Sequence, residues 1–143
     1  MDQRVSLVTL GVADVGRSRA FFERLGWVAS SASNENICFF QTGSMALALY
    51  GRAALAEDAG REAAGEGFRG VTLAINARDR AEADRFFAEM LVAGAKAVKP
   101  LQPVFWGGYS GYVEDPDGHL WEIAHNPFFP LGPDGALSLP EAD

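Results

Sequence analysis

Glu122 has the clearest potential for chemistry, because it is a single carboxylate in an apolar, aromatic segment near the end of a predicted strand. Such a carboxylate can anchor a cationic or hydrogen-bonding ligand, or act as a general base if burial raises its pKa. It can equally be a solvated or arginine-paired carboxylate without a role. His119 and His125 each lie three residues from Glu122. In a regular strand both therefore point to the opposite face.

Aromatic residues and glycines are interleaved before this strand, in the run Phe-Trp-Gly-Gly-Tyr-Ser-Gly-Tyr over 105–112. Aromatic side chains in strands usually belong to the core. The glycines indicate instead bends or a close approach of backbone, which suits a loop that folds over a ligand. We predict that Trp106 and Tyr109 wall a ligand pocket, with Tyr50 opposite them.

A turn signal, Asp-Pro-Asp-Gly over 115–118, separates the aromatic run from the strand that carries Glu122. Proline presets φ at the second turn position, aspartate side chains cap local N–H groups, and glycine accepts a positive φ. Apolar, aromatic-rich runs flank the turn on both sides. We therefore predict a β-hairpin with strands over 104–113 and 119–125.

The elements that position these residues follow a pattern that occurs twice. The first half predicts a strand over 5–12, a helix capped by Asp14, and strands over 27–31, 36–41 and 45–50. The second half predicts a strand over 71–77, a helix that begins near Asp79, and strands over 95–99, 104–113 and 119–125. Two βαβββ units therefore lie in tandem, each too small to be stable alone.

The predicted organisation is a single domain over 1–126 with a C-terminal tail over 127–143. Its units cover about 4–50 and 68–126, and a mobile linker over 51–67, in which we allow one short helical turn, joins them. In four predicted strands, bulky side chains alternate with small ones. We expect an α+β fold in which both units form one curved mixed sheet with the small residues on its concave face.

The face that carries the small side chains leaves room either for a cavity or for tight packing of two sheets, and we predict a cavity. Its small residues are Thr9, Gly11, Ala48, Thr72 and Ala74, and Glu122 lies on the same predicted face. Thr9 and Thr72 are therefore candidate ligand contacts together with Glu122. Glu122 is the only charged candidate among them.

Composition sets broad limits on function. The net charge of −7 argues against nucleic-acid binding and is compatible with a cationic ligand. The apolar runs are far shorter than the roughly 20 residues that span a bilayer, and no basic-then-apolar leader begins the chain. One cysteine, Cys38, cannot form an internal disulfide and fits a reducing cytoplasm.

Two motifs accompany the doubled unit. One is Thr-Leu-Gly-Val-Ala-Asp over 9–14 followed by Ser-Arg-Ala-Phe-Phe-Glu-Arg-Leu-Gly-Trp over 18–27, and the other is Asp-Pro-Asp-Gly-His-Leu-Trp-Glu over 115–122. Together they resemble the vicinal oxygen chelate superfamily, which includes glyoxalase I, bleomycin-resistance proteins and extradiol dioxygenases. The resemblance covers about 4–126. It implies the fold and leaves the chemistry open among lyases, dioxygenases, thiol transferases and binding proteins.

Enzymes of that superfamily hold a divalent metal with ligands from the first and last strands of each unit. The resemblance implies that Leu7, counted back from Asp14, is the first ligand position, and that Gly70, Ala48 and Glu122 are its counterparts. A catalytic metal needs about three protein ligands and an open position. Only Glu122 is a ligand type, so we expect no cofactor.

Three function classes follow. The first is a metal-free binding protein, similar to bleomycin-resistance proteins, that takes a small neutral or cationic, partly aromatic molecule. The second is a divergent lyase or dioxygenase, either metal-dependent or acting through Glu122 as acid–base catalyst. A domain that only assembles with another protein is a third. The resemblance, and strand edges that need cover, also predict a homodimer without nucleic-acid or membrane partners.

Overall fold

The computed structural model describes Met1 and residues 3–141, and the chain divides into two compact units between Arg69 and Gly70. Each unit combines helix with a mixed sheet, which confirms the predicted α+β class built from tandem units. The strands hydrogen-bond in two sheets, one of three strands and one of four. Within the described ranges, no helix has the length and apolar character to cross a membrane.

The first unit contains the strands β1 (Leu7–Val12), β2 (Ile37–Thr42) and β3 (Met45–Gly51), and the helices α1 (Val15–Arg24) and α2 (Arg52–Asp58). Its strand order is β1-β3-β2, with β1 parallel and β2 antiparallel to β3. Because side chains alternate between the two faces of a strand, every second one packs into a core beneath α1. That core contains Leu10, Val12, Phe21, Phe22, Cys38, Phe40, Leu47 and Leu49.

One prediction for this unit was wrong. The strand expected over 27–31 is reduced to an isolated bridge between Ala29 and Phe40, because the chain turns where the N–H of Ser33 donates to Ser30 O. The segment over 51–67, in which we expected a linker with one short helical turn, begins with the seven-residue helix α2. Alanine and leucine have high helix propensity, and the Arg52 Nε–H donates to Ala63 O at 2.7 Å, which ties the following loop to the helix.

The second unit contains the strands β4 (Leu73–Ala77), β5 (Lys96–Pro103), β6 (Tyr109–Glu114) and β7 (Leu120–His125), and the helix α3 (Arg80–Ala93). Its strand order is β4-β7-β6-β5, with β4 parallel to β7 and the other pairs antiparallel. Helix α3 packs against one face of the sheet. The core between them contains Ala77, Ala83, Met90, Ala93, Val113, Trp121 and Ile123.

The helix caps fix how the two units correspond. The Asp14 carboxylate accepts from the N–H of Arg17, and the Asp79 carboxylate accepts from the N–H of Glu82, each at 2.7 Å. The caps lie 65 residues apart (79 minus 14), so the counterpart of Leu7 is Thr72. The predicted correspondence of Leu7 with Gly70 was therefore two residues out of register.

Candidate functional site

One face of the second sheet points away from α3, and we call it the Glu122 face. Strand alternation and register place Glu122 opposite Tyr112 of β6 and beside Ala74 of β4. The adjacent row places Ala124 between two polar residues of the neighbouring strands, Asn76 and Ser110. Ala74 is exposed on this face, whereas Ala124 is 3% exposed and is covered by its neighbours.

Tyr112 is the direct partner of Glu122. Its hydroxyl donates to Glu122 Oε2 at 2.8 Å, and both side chains are half-buried. This hydrogen bond, with burial as a lesser cause, raises the pKa of Tyr112. Tyr112 is therefore a neutral donor that orients the carboxylate. In the described part of the chain, no lysine, arginine or histidine forms an ion pair with Glu122.

The structure does not bring Tyr109 together with Glu122. Tyr109 pairs with His125, so its side chain lies on the α3 side of the sheet. Its hydroxyl donates to Asp84 Oδ1 at 2.6 Å, and the Arg80 guanidinium lies 5.2 Å from its ring centre. The bond to Asp84 raises the pKa of Tyr109. These contacts bind the start of β6 to α3 and give Tyr109 a structural role.

Trp106 covers one end of the Glu122 face. A Cβ on Gly108 would lie only 1.7 Å from Trp106 Cζ3, so the indole occupies the space that a side chain at 108 would fill. Gly108 immediately precedes β6, and by alternation that space is on the same side as the side chain of Ser110. The indole therefore adjoins the polar row of Ser110 and Asn76.

The remaining predicted contacts are dispersed. Thr9 and Tyr50 lie on β1 and β3 of the first unit, where they pair with Ala48 and Gly11 and are half-buried. Thr72 lies one residue before β4 and is exposed. These three residues remain predicted ligand contacts, whereas Trp106, Tyr112 and Glu122 belong to the Glu122 face.

Sequence reasoning missed Tyr112, although the turn contained the signal. A hairpin closed over 115–119 places Glu114 opposite Leu120, and two residues further along each strand it places Tyr112 opposite Glu122. Residue type does not separate Tyr109 from Tyr112, whereas strand register does.

Asp115 fixes the register that brings Tyr112 to Glu122. Its buried carboxylate accepts from the backbone N–H groups of Asp117 and His119 at 2.9 and 3.0 Å. It also accepts from Trp121 Nε1 at 3.2 Å. Burial raises the pKa of Asp115, although these hydrogen bonds and His119 oppose the shift. One side chain thus joins the turn to the core of the sheet.

The residues at the metal-ligand positions of related enzymes do not form a donor set for a divalent ion. Those positions are Leu7, Ala48, Thr72 and Glu122, and they supply one carboxylate. Across residues 1 and 3–141, no group of three or more His, Cys, Asp or Glu side chains could hold a metal ion. The chemistry of these side chains therefore does not fit a catalytic metal.

We expect the purified protein to contain no stoichiometric Zn, Fe, Mn or Ni, because a single carboxylate cannot retain such an ion. Elemental analysis after mild purification checks this, with Glu122→Ala analysed alongside. About one ion per chain in the wild type, lost in the variant, would contradict the expectation.

The fold agrees with what comparison with known proteins finds. The model of the Glyoxalase/Bleomycin resistance protein/Dioxygenase superfamily matches residues 4–123, and the chain belongs to that superfamily. No curated protein matches the sequence at a significant level. A solved glyoxalase-related enzyme from Fulvimarina pelagi is 35% identical, with 96% of this chain and 98% of that chain covered and a TM-score of 0.85.

Two more distant structures show the same fold. A glyoxalase/bleomycin resistance protein/dioxygenase family enzyme from Burkholderia phytofirmans PsJN is 18% identical, with coverage of 84% and 96% and a TM-score of 0.71. A lactoylglutathione lyase from Agrobacterium tumefaciens is 22% identical, with coverage of 88% and 96% and a TM-score of 0.67. At these identities the similarity concerns the fold alone.

Proposed function

We propose that this protein binds a small, partly aromatic molecule with a cationic or hydrogen-bond-donating group, and that it does so without a metal. The observation that carries the proposal is the Glu122 carboxylate, half-buried and oriented by Tyr112, with no cationic partner among the described residues. A partly desolvated carboxylate is stabilised when a donor or cation reaches it. Tyr112 donates one hydrogen bond to this carboxylate, and the ligand donates a second.

The surroundings of the pair favour a ligand with an apolar portion. Ala74 is exposed and projects little from the sheet, so a molecule can approach the carboxylate across it. The Trp106 indole offers an aromatic surface at the end of the same face, and such surfaces attract apolar and cationic groups. The overall charge of −7 is compatible with a cation.

Glu122→Gln is expected to weaken binding of cationic ligands roughly 10- to 150-fold, because a charge-assisted hydrogen bond is worth about 1.5–3 kcal/mol. The amide preserves the shape, so thermal stability changes far less than affinity. A library of aryl-alkyl amines and their neutral analogues, read by thermal shift and tryptophan fluorescence, provides the measurement. Glu89→Gln, an exposed carboxylate on α3, is the matched control.

The binding proposal fails on either of two results. Amines that bind Glu122→Gln as tightly as the wild type would place the site elsewhere on the molecule. A broad library without any hit would leave Glu122 as a structural partner of Tyr112.

A second candidate is acid–base catalysis by Glu122, in a divergent lyase or dioxygenase. It is favoured by the Tyr112 hydroxyl, a proton donor held against the carboxylate, and by 35% identity to a protein described as a glyoxalase-related enzyme. Turnover that disappears in Tyr112→Phe while ligand affinity is retained distinguishes catalysis from binding.

We also infer a cytoplasmic homodimer. The single cysteine is compatible with a reducing compartment. Each sheet has two edge strands, and exposed apolar side chains lie on or beside them, including Leu7, Val71 and Val98. Edges of this kind are normally covered by another chain or element.

Light scattering of the purified protein is therefore expected to give twice the chain mass at micromolar concentration. A monomeric mass that does not change with concentration would contradict the dimer.

A further inference from the structure

We propose that the first unit has an anion site of its own, in which the Arg52 guanidinium binds the carboxylate of a small molecule with an aromatic body. The inference goes beyond the proposed function, because the ligand group has the opposite charge from the one expected at Glu122. The residues that form this site also belong to the other unit of the chain.

The position of the Arg52 side chain is the first observation. Gly11 faces away from α1, because its neighbours Leu10 and Val12 are buried beneath that helix. A Cβ on Gly11 would lie 3.5 Å from both Cβ and Cγ of Arg52. The aliphatic part of Arg52 therefore lies on the face of β1 that does not contact α1.

The guanidinium is held in place, and it has no counter-ion. Its Nε–H donates to Ala63 O at 2.7 Å, and only the Cδ methylene separates Nε from the Cγ that lies near Gly11. Arg52 is half-buried, and no carboxylate in the described ranges forms an ion pair with it. Since Nε already donates to Ala63, the two Nη groups are left to form the bidentate pair that arginine makes with a planar carboxylate.

The residues beside Arg52 favour a ligand with an apolar body. Strand register places Tyr50 next to Gly11 and Ile37 next to Tyr50, all on the face away from α1. Tyr50 and Ile37 are half-buried, so part of each side chain is accessible. Thr9 lies on the same face, two residues before Gly11, and its hydroxyl is a possible donor to an oxyanion. A cation and hydroxyl donors thus lie beside a tyrosine ring, an arrangement that suits an aryl carboxylate.

The charge balance favours a monoanion over a polyanion. One guanidinium compensates one negative charge. The net charge of −7 on the whole chain repels a dianion more strongly than a monoanion. A carboxylate therefore fits this site better than a phosphate group does.

The test compares phenylacetate with its neutral analogue phenylacetamide in NMR titrations of the purified protein. The wild type is expected to bind phenylacetate roughly 10- to 150-fold more tightly than phenylacetamide, and Arg52→Gln is expected to lose this preference. Tyr50→Phe is expected to bind phenylacetate roughly 2- to 12-fold more weakly than the wild type, because it lacks one neutral donor. Arg61→Gln is the matched control that leaves both affinities unchanged, since Arg61 is exposed and likewise donates to a backbone carbonyl.

Three results would overturn the anion site. They are equal affinity of the wild type for phenylacetate and phenylacetamide, a preference that survives in Arg52→Gln, and tighter binding of inorganic phosphate than of phenylacetate. Arg52→Gln also removes the bond to Ala63, so thermal unfolding of the unliganded variants shows whether it folds. If it does not, Tyr50→Phe decides, and an unchanged affinity for phenylacetate then overturns the site. The binding of amines at Glu122 is tested by other probes, so either proposal can fail while the other stands.

Discussion

Gly111→Ala is expected to lower the free energy of unfolding by about 3 kcal/mol, near the upper end of what overpacking costs. A Cβ on Gly111 would lie 2.7 Å from Lys99 O, 2.8 Å from Leu101 N and 2.9 Å from Pro100 C. All three atoms belong to the backbone, so no side-chain rotation can relieve the clash. The register of β5 against β6 shifts on both sides of Lys99, so the irregular strand passes directly over Gly111.

Urea denaturation of the variant measures this effect, with Gly51→Ala as the matched control. Gly51 also lies in a strand, but a Cβ there would meet only Ala54 Cβ at 4.0 Å, an ordinary contact. We expect the control to change stability far less than Gly111→Ala does. Equal midpoints for Gly111→Ala and wild type would show that β5 does not approach β6 in this way.

Asp115→Ala is expected to cost a similar amount, about 3 kcal/mol, because it removes the acceptor of three N–H groups at once. The greatest penalty falls on Trp121, which is 4% exposed and loses the carboxylate oxygen to which its indole N–H donates. Asp134→Ala is the control. Asp134 likewise accepts from a backbone N–H two residues on, but it does so in the exposed tail.

The Asp115 carboxylate is also expected to make the stability of the protein depend on pH, in a direction that can be derived. Burial raises the pKa of Asp115 in the folded state, so the folded protein binds its proton more tightly than the unfolded chain does. The stability advantage of the wild type over Asp115→Ala is therefore largest at acid pH. It should decrease as the pH rises from about 4, the ordinary aspartate value, through the raised folded value.

Urea unfolding of both proteins across this range measures the difference, and subtraction of Asp115→Ala removes the contributions of the other acids. A stability advantage of the wild type that grows with rising pH would mean that hydrogen bonding lowers the folded pKa of Asp115 more than burial raises it. The pairing of Tyr112 with Glu122 follows from the geometry of this turn and is the same for either outcome.

The sequence by itself determined the fold class and the repeat, because these depend on local signals. Alternating strands, helices that begin at Asp14 and Asp79, and the turn over 115–118 are all specified by near neighbours along the chain. The isolated carboxylate of Glu122 can likewise be identified from the sequence alone. For the seven-residue helix over Arg52–Asp58 the sequence predicted only one short helical turn, because the glycine-rich and alanine-rich surroundings suggested a linker.

Only the tertiary structure decided which residues meet Glu122. Tyr109 and Tyr112 are close in sequence and similar in type, yet strand alternation sends one to Asp84 on α3 and the other to Glu122. The row of Asn76, Ala124 and Ser110 joins β4 to β6 across β7, over a sequence separation that no local pattern spans. Such contacts depend on strand order and register, which are set by the packing of the whole sheet against α3.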